Sequence, residues 1–324
     1  MSYTSKAKKL FLLLLPMLII SCCDPIEKPA TNIQITADPV STREDALQAY
    51  EIFYLGTEVK DPHWNGSLEE CNPGTLPQYI HDKVLGRINF YRAMCGLPAD
   101  IIFNEELNRK CQYAALMIHA NERLSHNPPT SWRCWNVDGH EACMNSNISY
   151  GSPNYLPHTS QSIDYYMQDH QSDNAAMGHR RWLLYSRAKV MGHGSTTQAN
   201  AIWVGGNINN PVPENTPTFI AYPPPGYIPS PVYYDYWTLS SENGDFRNAT
   251  ITMTDEEGIE IEENITYTSG VGDPIIGDYT IAWHPDLELN EQEDNTFNVK
   301  VENIKIYNTT YSFEYQVTII PIEQ

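Results

Sequence analysis

Apolar residues follow two periods along this chain, and the change between them divides it. From about residue 41 to 206 they recur at three- and four-residue spacing. Ser41 could cap a short helix holding Leu47, Tyr50, Ile52 and Tyr54. Ile80, Val84, Leu85, Ile88 and Tyr91 predict a helix over Gln78–Met94, stopped by Gly96 and Pro98. Asn104 reads as the N-cap of a next helix, with Glu105 and Glu106 against its positive end. That helix buries Leu107, Cys111, Ala114, Ala115 and Ile118 and is expected to end near Leu124, ahead of Asn127-Pro128-Pro129. Shorter helices are predicted over Ser162–Gln168 and Gly178–Leu184, and a strand over Ala201–Val204. From 231 to 322 the period is two: Ile251 and Met253, Tyr279, Ile281 and Trp283, Phe297, Val299 and Val301, then Tyr311 to Ile319. Alternating strands at about ten-residue spacing indicate an antiparallel β-sandwich. Between the two textures, residues 207–230 carry seven prolines, which make a stiff connector, either free or packed along a face.

The N-terminus has a third texture. Lys6, Lys8 and Lys9 precede an apolar run from Leu10 to Ile20. The run is about half the ~20 residues a membrane-spanning helix needs. A positive start, a short apolar core and small Ser21 are the parts of a secretory signal. Ile19-Ile20-Ser21-Cys22 resembles the bacterial lipobox, whose cysteine takes a diacylglyceryl group and becomes the first mature residue. Cys22 is therefore the expected lipidation site, and an ordinary secretory signal is the competing reading. Residues 24–40, with Pro25, Pro29 and Pro39, suit an extended tether. The expected divisions are a signal peptide at 1–21, a tether and N-terminal segment at 22–72, a helical domain at 73–206, the connector at 207–230 and the sandwich at 231–324.

Charge narrows the partners. Twenty basic and 40 acidic residues give −20, and losing the three leader lysines moves this to −23. Phosphate backbones need basic patches, so a nucleic-acid partner is not expected. Membrane attachment would come through the lipid, in the cell envelope, on its periplasmic or surface face.

Cys71, Cys95, Cys111, Cys134 and Cys143 fall in the first half of the mature chain. In an oxidising compartment such clustering reads as disulfides. Five is odd, so one thiol is free or pairs with Cys23. Zinc on thiolates is disfavoured, because no Cys-x-x-Cys pair follows the signal.

Four pieces carry a family resemblance: Arg87-Ile88-Asn89-Phe90-Tyr91-Arg92, Leu124-Ser125-His126, Asn145 to Gly151, and Gly178-His179-Arg180-Arg181-Trp182-Leu183-Leu184. The last continues into Gly192-His193-Gly194, with Trp203 beyond. In this order they resemble the CAP superfamily (cysteine-rich secretory proteins, antigen 5, pathogenesis-related 1). The likeness covers roughly 77–206. Tyr222 to Tyr227 before a β domain looks like a bacterial subgroup with a C-terminal sandwich. The resemblance implies an α+β protein: an α-β-α sandwich followed by an immunoglobulin-like antiparallel β-sandwich. It also implies a Gly-x-Gly strand turn at 192–194 and a Cys71–Cys134 disulfide.

Typical members face two histidines and two acidic residues into a central cleft. The histidines carry over to His126 and His179. The first family glutamate falls at Ser146, so it is missing here, and Glu141 is a substitute by spacing alone. Asp169 is the acidic candidate for the second. Two neutral imidazoles and a carboxylate could hold zinc, with water in the fourth place. Ser125 and Ser146 lie in no Gly-x-Ser-x-Gly elbow, and no ordered Ser, His and Asp set is visible. Arg180 and Arg181 are either an anion or carbohydrate contact beside the cleft, or residues facing water or carboxylates on a helix that buries Trp182 and Leu183. The leading reading is non-catalytic binding of an extracellular, envelope or lipid-type ligand. A metal-dependent hydrolase using His126, His179 and a carboxylate is the second, and a structural spacer the third.

Overall fold

The computed structural model describes residues 32–59, 61–151, 159–169 and 175–322. The leader at 1–21, Cys22 and Cys23 lie outside them. No described helix is long and apolar enough to cross a membrane.

The described chain opens on strand β1 (Asn32–Thr36) and helix α1 (Arg43–Ala49), which runs on through a π turn at Tyr50–Tyr54. Thr42, not Ser41, caps α1: its hydroxyl accepts from the Asp45 N–H at 3.2 Å. Helix α2 (Gln78–Met94) has the predicted limits and buries Ile80, Val84, Ile88 and Tyr91. After β2 (Ile102–Phe103), helix α3 (Glu105–Asn121) starts where its cap predicts. The Asn104 side chain accepts from the N–H groups of Glu106 and Leu107 at 3.0 and 3.1 Å. It stops three residues short of Leu124, because Glu122 turns left-handed at φ 51°.

Helix α4 (Val137–Asn145) was not legible from apolar spacing. It is nucleated by Asn136, which accepts from the N–H groups of Asp138 and Gly139. Strand β3 (Ser146–Tyr150), helices α5 (Ser160–Gln168) and α6 (Gly178–Leu183), and strands β4 (Val190–Ser195) and β5 (Ala199–Trp203) complete this part.

The four strands form one sheet in the order β2-β4-β5-β3. Strand β5 shows why helices cover both faces. Ala199, Ala201 and Trp203 enter one core with α3 and α4, whereas Ile202 enters another with α2, α5 and α6. The α-β-α sandwich is thus present. Gly192-His193-Gly194 is not a turn but the middle of β4, with Gly192 beside Trp203 and Gly194 beside Ala201. A Cβ at 194 would stand 2.2 Å from the Gln112 nitrogen, so glycine there lets α3 lie directly on the strand.

The C-terminal part adds β6 (Ile220–Tyr222), β7 (Gly226–Pro229), β8 (Trp237–Ser241), β9 (Gly244–Asp245), β10 (Thr250–Asp255), β11 (Glu260–Ile261), β12 (Glu263–Thr268), β13 (Tyr279–Pro285), β14 (Asn295–Ile306) and β15 (Thr309–Ile320). One sheet runs β12-β13-β8-β6. The other runs β1-β15-β14-β10-β11, with β7 also on β15 and β9 on β14. Trp237, Trp283, Met253, Phe297 and Val299 are buried among the strands, and the Trp283 indole N–H lies 3.2 Å from the Met253 sulfur. The sandwich is antiparallel except that β1 and β7 pair parallel to β15.

Two segments read as tether and connector are built into these sheets. Asn32-Ile33-Gln34-Ile35-Thr36 alternates and adds itself to β15, so the extended stretch is docked from residue 32 onward. The second half of the proline-rich stretch packs rather than hanging free. β6 joins one sheet, β7 joins the other, and Pro223-Pro224-Pro225 carries the chain between them.

Four buried arginines tie the helical part together and to the strands. Arg180 donates to the carbonyls of Met167, Gln168 and Tyr236, and its guanidinium lies 4.5 Å from the Tyr222 ring centre. Arg181 donates to the carbonyls of Asp278 and Ala176. Arg92 reaches those of Pro98, Leu183 and Tyr185. Arg87 pairs with Asp164, which also accepts from the Tyr91 hydroxyl at 2.8 Å. A planar fork of N–H donors suits several carbonyls at once, which a lysine could not replace. A single apolar cluster runs from Val84 and Ile88 through Tyr222 to Trp237 and Val317, so helices and sandwich share buried surface.

Candidate functional site

The Cys71–Cys134 disulfide is present, and Cys95, Cys111 and Cys143 are free, buried thiols. Burial pushes Cys111 and Cys143 up to about 12, which makes them packing groups rather than nucleophiles.

His126 and His179 line the same cleft, of about 430 Å3. His126 follows the end of α3, and His179 opens α6. The His126 Nδ1 lies 2.7 Å from the Cys143 carbonyl oxygen. A carbonyl only accepts, so Nδ1 carries a proton, and in the neutral ring Nε2 is the acceptor nitrogen. The His179 Nδ1 lies 2.7 Å from Asp169 Oδ1, which fixes the same tautomer in the neutral ring. Asp169 is buried, in a left-handed residue just past α5, and its Oδ2 accepts the Arg180 N–H at 3.2 Å. The carboxylate therefore stands behind the imidazole and orients it.

The other site residues divide. Ser146 lines the cleft, with its hydroxyl 3.8 Å from the Cys111 sulfur. Glu141 does not reach the cleft. It lies on α4 and pairs with Lys110 at 2.6 Å, so it does not replace the carboxylate missing at Ser146. Arg180 and Arg181 fit neither reading of them: both are buried on backbone carbonyls, out of reach of a ligand. Trp182, assigned to the core, is half-buried and lines the cleft instead.

Sequence reasoning missed several lining residues. Asn147 lines the cleft and donates to the His179 carbonyl at 3.0 Å. Met144, Ile208 and Ile275 stand on the cleft wall with exposed side chains, and Ile276 joins them. Ile275 and Ile276 belong to the sandwich, where no period pointed to a site. A second histidine pair, His81 and His193, meets Nδ1 to Nδ1 at 3.1 Å away from the cleft. Burial lowers the pKa of both, and Ser195 bonds His193 Nε2 at 2.9 Å. His193 and Ser195 are fully buried, so this pair is structural.

The donor set does not fit zinc on the described residues. Asp169 is spent on His179, and among those residues no group of three or more His, Cys, Asp or Glu could hold a metal ion. Two imidazoles alone leave half a tetrahedral site unfilled.

Three layers, with His126 and His179 on one cleft, define an α-β-α sandwich domain. Residues 85–206 match the model of the CAP family, described as the cysteine-rich secretory protein family. These residues thus form a domain of the CAP family, and a strand-rich region follows it. No curated protein matches the chain.

Proposed function

We propose that this is a lipid-anchored protein of the cell envelope whose CAP domain binds a ligand without turning it over. The observation that carries the reading is the matched pair of imidazoles on one cleft. Each has its Nδ1 held by an oxygen, which sets the orientation of the ring at the cleft. The cleft's volume lies within the range of small-molecule sites, about 300–1,000 Å3. Against the hydrolase reading, Glu141 faces Lys110, and Asp169 stands behind His179 rather than on the cleft lining. The spacer reading leaves the imidazole pair unexplained.

The anchor rests on the Ile19-Ile20-Ser21-Cys22 sequence, since two lipid chains hold a protein where one does not. Two experiments test the proposal. Cys22→Ala should move the protein out of the detergent phase, and unchanged partitioning sinks the anchor. An envelope extract passed over the immobilised full chain should be depleted of a compound that the His126→Ala/His179→Ala variant does not retain. Equal retention by both proteins sinks the cleft.

A further inference from the structure

An apolar groove separate from the imidazole cleft lies between α1 and α2. We propose that it is an interface for a second copy of this chain, whose own α1 crosses the first antiparallel.

The groove encloses about 440 Å3. One wall is Ala46, Ala49 and Phe53, at three- and four-residue spacing along α1 and its π turn. The other is Gly86, Phe90 and Ala93 on α2. Helix α1 precedes residues 85–206, the part matched by the family model. Phe53 is 58 % exposed, and Val40 on the same lining is also exposed. Large apolar side chains left in water beside a concave apolar wall mark an interaction surface.

The lining favours a protein partner over a small molecule. A small-molecule site has a few polar groups converging inside it. Asn89 is the polar side chain that α2 gives to the groove, and its amide is committed to Ile101. It donates to the Ile101 carbonyl at 3.3 Å and accepts the Ile101 N–H at 3.2 Å.

The surface is also complementary to itself. The projecting Phe53 and the hollow over Ala46 and Ala49 share one helical face. Two α1 helices that cross antiparallel at Ala49 set each Phe53 over the second copy's Ala46. The same contact is then made twice, as an isologous interface requires. Charge decides the direction. Asp45 stands in the first turn of α1, where it accepts from the Thr42 hydroxyl at 2.9 Å. At the far end, past the π turn, Lys83 donates to the Gly56 carbonyl. Among the described residues neither Asp45 nor Lys83 has an ion-pair partner, whereas Arg43 is occupied by Asp294 at 2.8 and 2.9 Å. An antiparallel crossing brings Asp45 of each copy to Lys83 of the other. A parallel one would set like charge against like at both ends.

The experiment puts a single cysteine at the crossing, Ala49→Cys, in cells producing the full chain, under a mild membrane-permeant oxidant. Disulfide-linked dimer is read on a non-reducing gel. Tyr307→Cys, exposed in the turn between β14 and β15, measures random collision. The yield at Ala49→Cys should exceed that control. Added to Ala49→Cys, either Asp45→Lys or Lys83→Asp alone creates two like-charge contacts and should cut the yield about fivefold, the loss from two surface pairs. Produced together with distinguishable tags, the two variants again meet opposite charge at both ends. Their mixed dimer should therefore return to the unsubstituted yield while each self-dimer stays low, which also shows that both variants fold. A yield at Ala49→Cys no higher than at Tyr307→Cys overturns the proposal and leaves the groove to a lipid or another protein. Yields that ignore both charge changes, or a mixed dimer as rare as the self-dimers, overturn it as well.

Discussion

Asp169 grips His179 from behind, with one oxygen 2.7 Å from the imidazole Nδ1 and the other on the next residue's N–H, that of Arg180, at 3.2 Å. The grip selects the tautomer with Nε2 as acceptor. In Asp169→Asn the amide can present either its oxygen or its NH2 to Nδ1, so the ring is no longer forced into one tautomer. The expected result is a mixed tautomer at His179 in 15N NMR, with His126 unchanged. A His179 ring that keeps a pure Nδ1–H tautomer would show that the carboxylate does not set it.

Asp278 links the cleft wall to acidity. Burial raises its carboxyl pKa from 3.8 to about 6, against the Ser186 hydrogen bonds that lower it. The folded state therefore binds its proton more tightly than the unfolded chain. That contribution to stability is complete below the unfolded value of 3.8 and is lost as pH rises through about 6. The size is about 3 kcal/mol by linkage. Asp278→Asn cannot ionise, so urea unfolding at pH 4 and pH 7.5 should show the variant gaining on wild type at the higher pH. An equal difference at both would remove the assignment.

Arg180 ties α6 to the end of α5 and to Tyr236, just before β8. Arg180→Met deletes its donors to the carbonyls of buried Met167 and half-buried Gln168 and Tyr236. Each unsatisfied buried group costs about 1–3 kcal/mol, so a loss of about 3 kcal/mol or more is expected. A thermal scan showing less than about 1 kcal/mol would mean that water replaces the guanidinium.

The Cys71–Cys134 bond closes a separation of 63 residues. Loop closure of that length is worth about 4 kcal/mol in the chain-entropy model. Cys71→Ser/Cys134→Ser should melt well below wild type, while the buried Cys95, Cys111 and Cys143 stay unreactive to thiol reagents in the native state. Labelling of one of these three in the folded wild type would contradict the burial.

A sandwich cut at residue 231 omits β6 beside β8, and β1 and β7 beside β15. The fragment 231–324 is therefore expected to melt broadly, because Leu239, Val317 and Ile319 lose neighbours and strand edges open. Adding residues 219–230 should sharpen the transition. A sharp melt of the shorter fragment would show that its core is sufficient.

The sequence by itself determined what local periods and caps control. Helix α2 and the start of α3 follow from apolar spacing and from Asn104, whose partners are within three residues. The two textures determined the order of an α/β part and a strand-rich part. The motifs put His126 and His179 at helix ends, and both line the cleft. Tertiary structure alone decided the rest, because those choices depend on residues far apart in the chain. Glu141 was drawn to Lys110 across two helices, out of the cleft. Arg180 and Arg181 were buried because carbonyls from α5 and the sandwich converge there, and a buried guanidinium is stable only where such acceptors meet it. Ile275 and Ile276 became part of the cleft because Asp278, 92 residues from Ser186, docks their loop onto it. Local sequence carries no signal for a wall that is assembled across that distance.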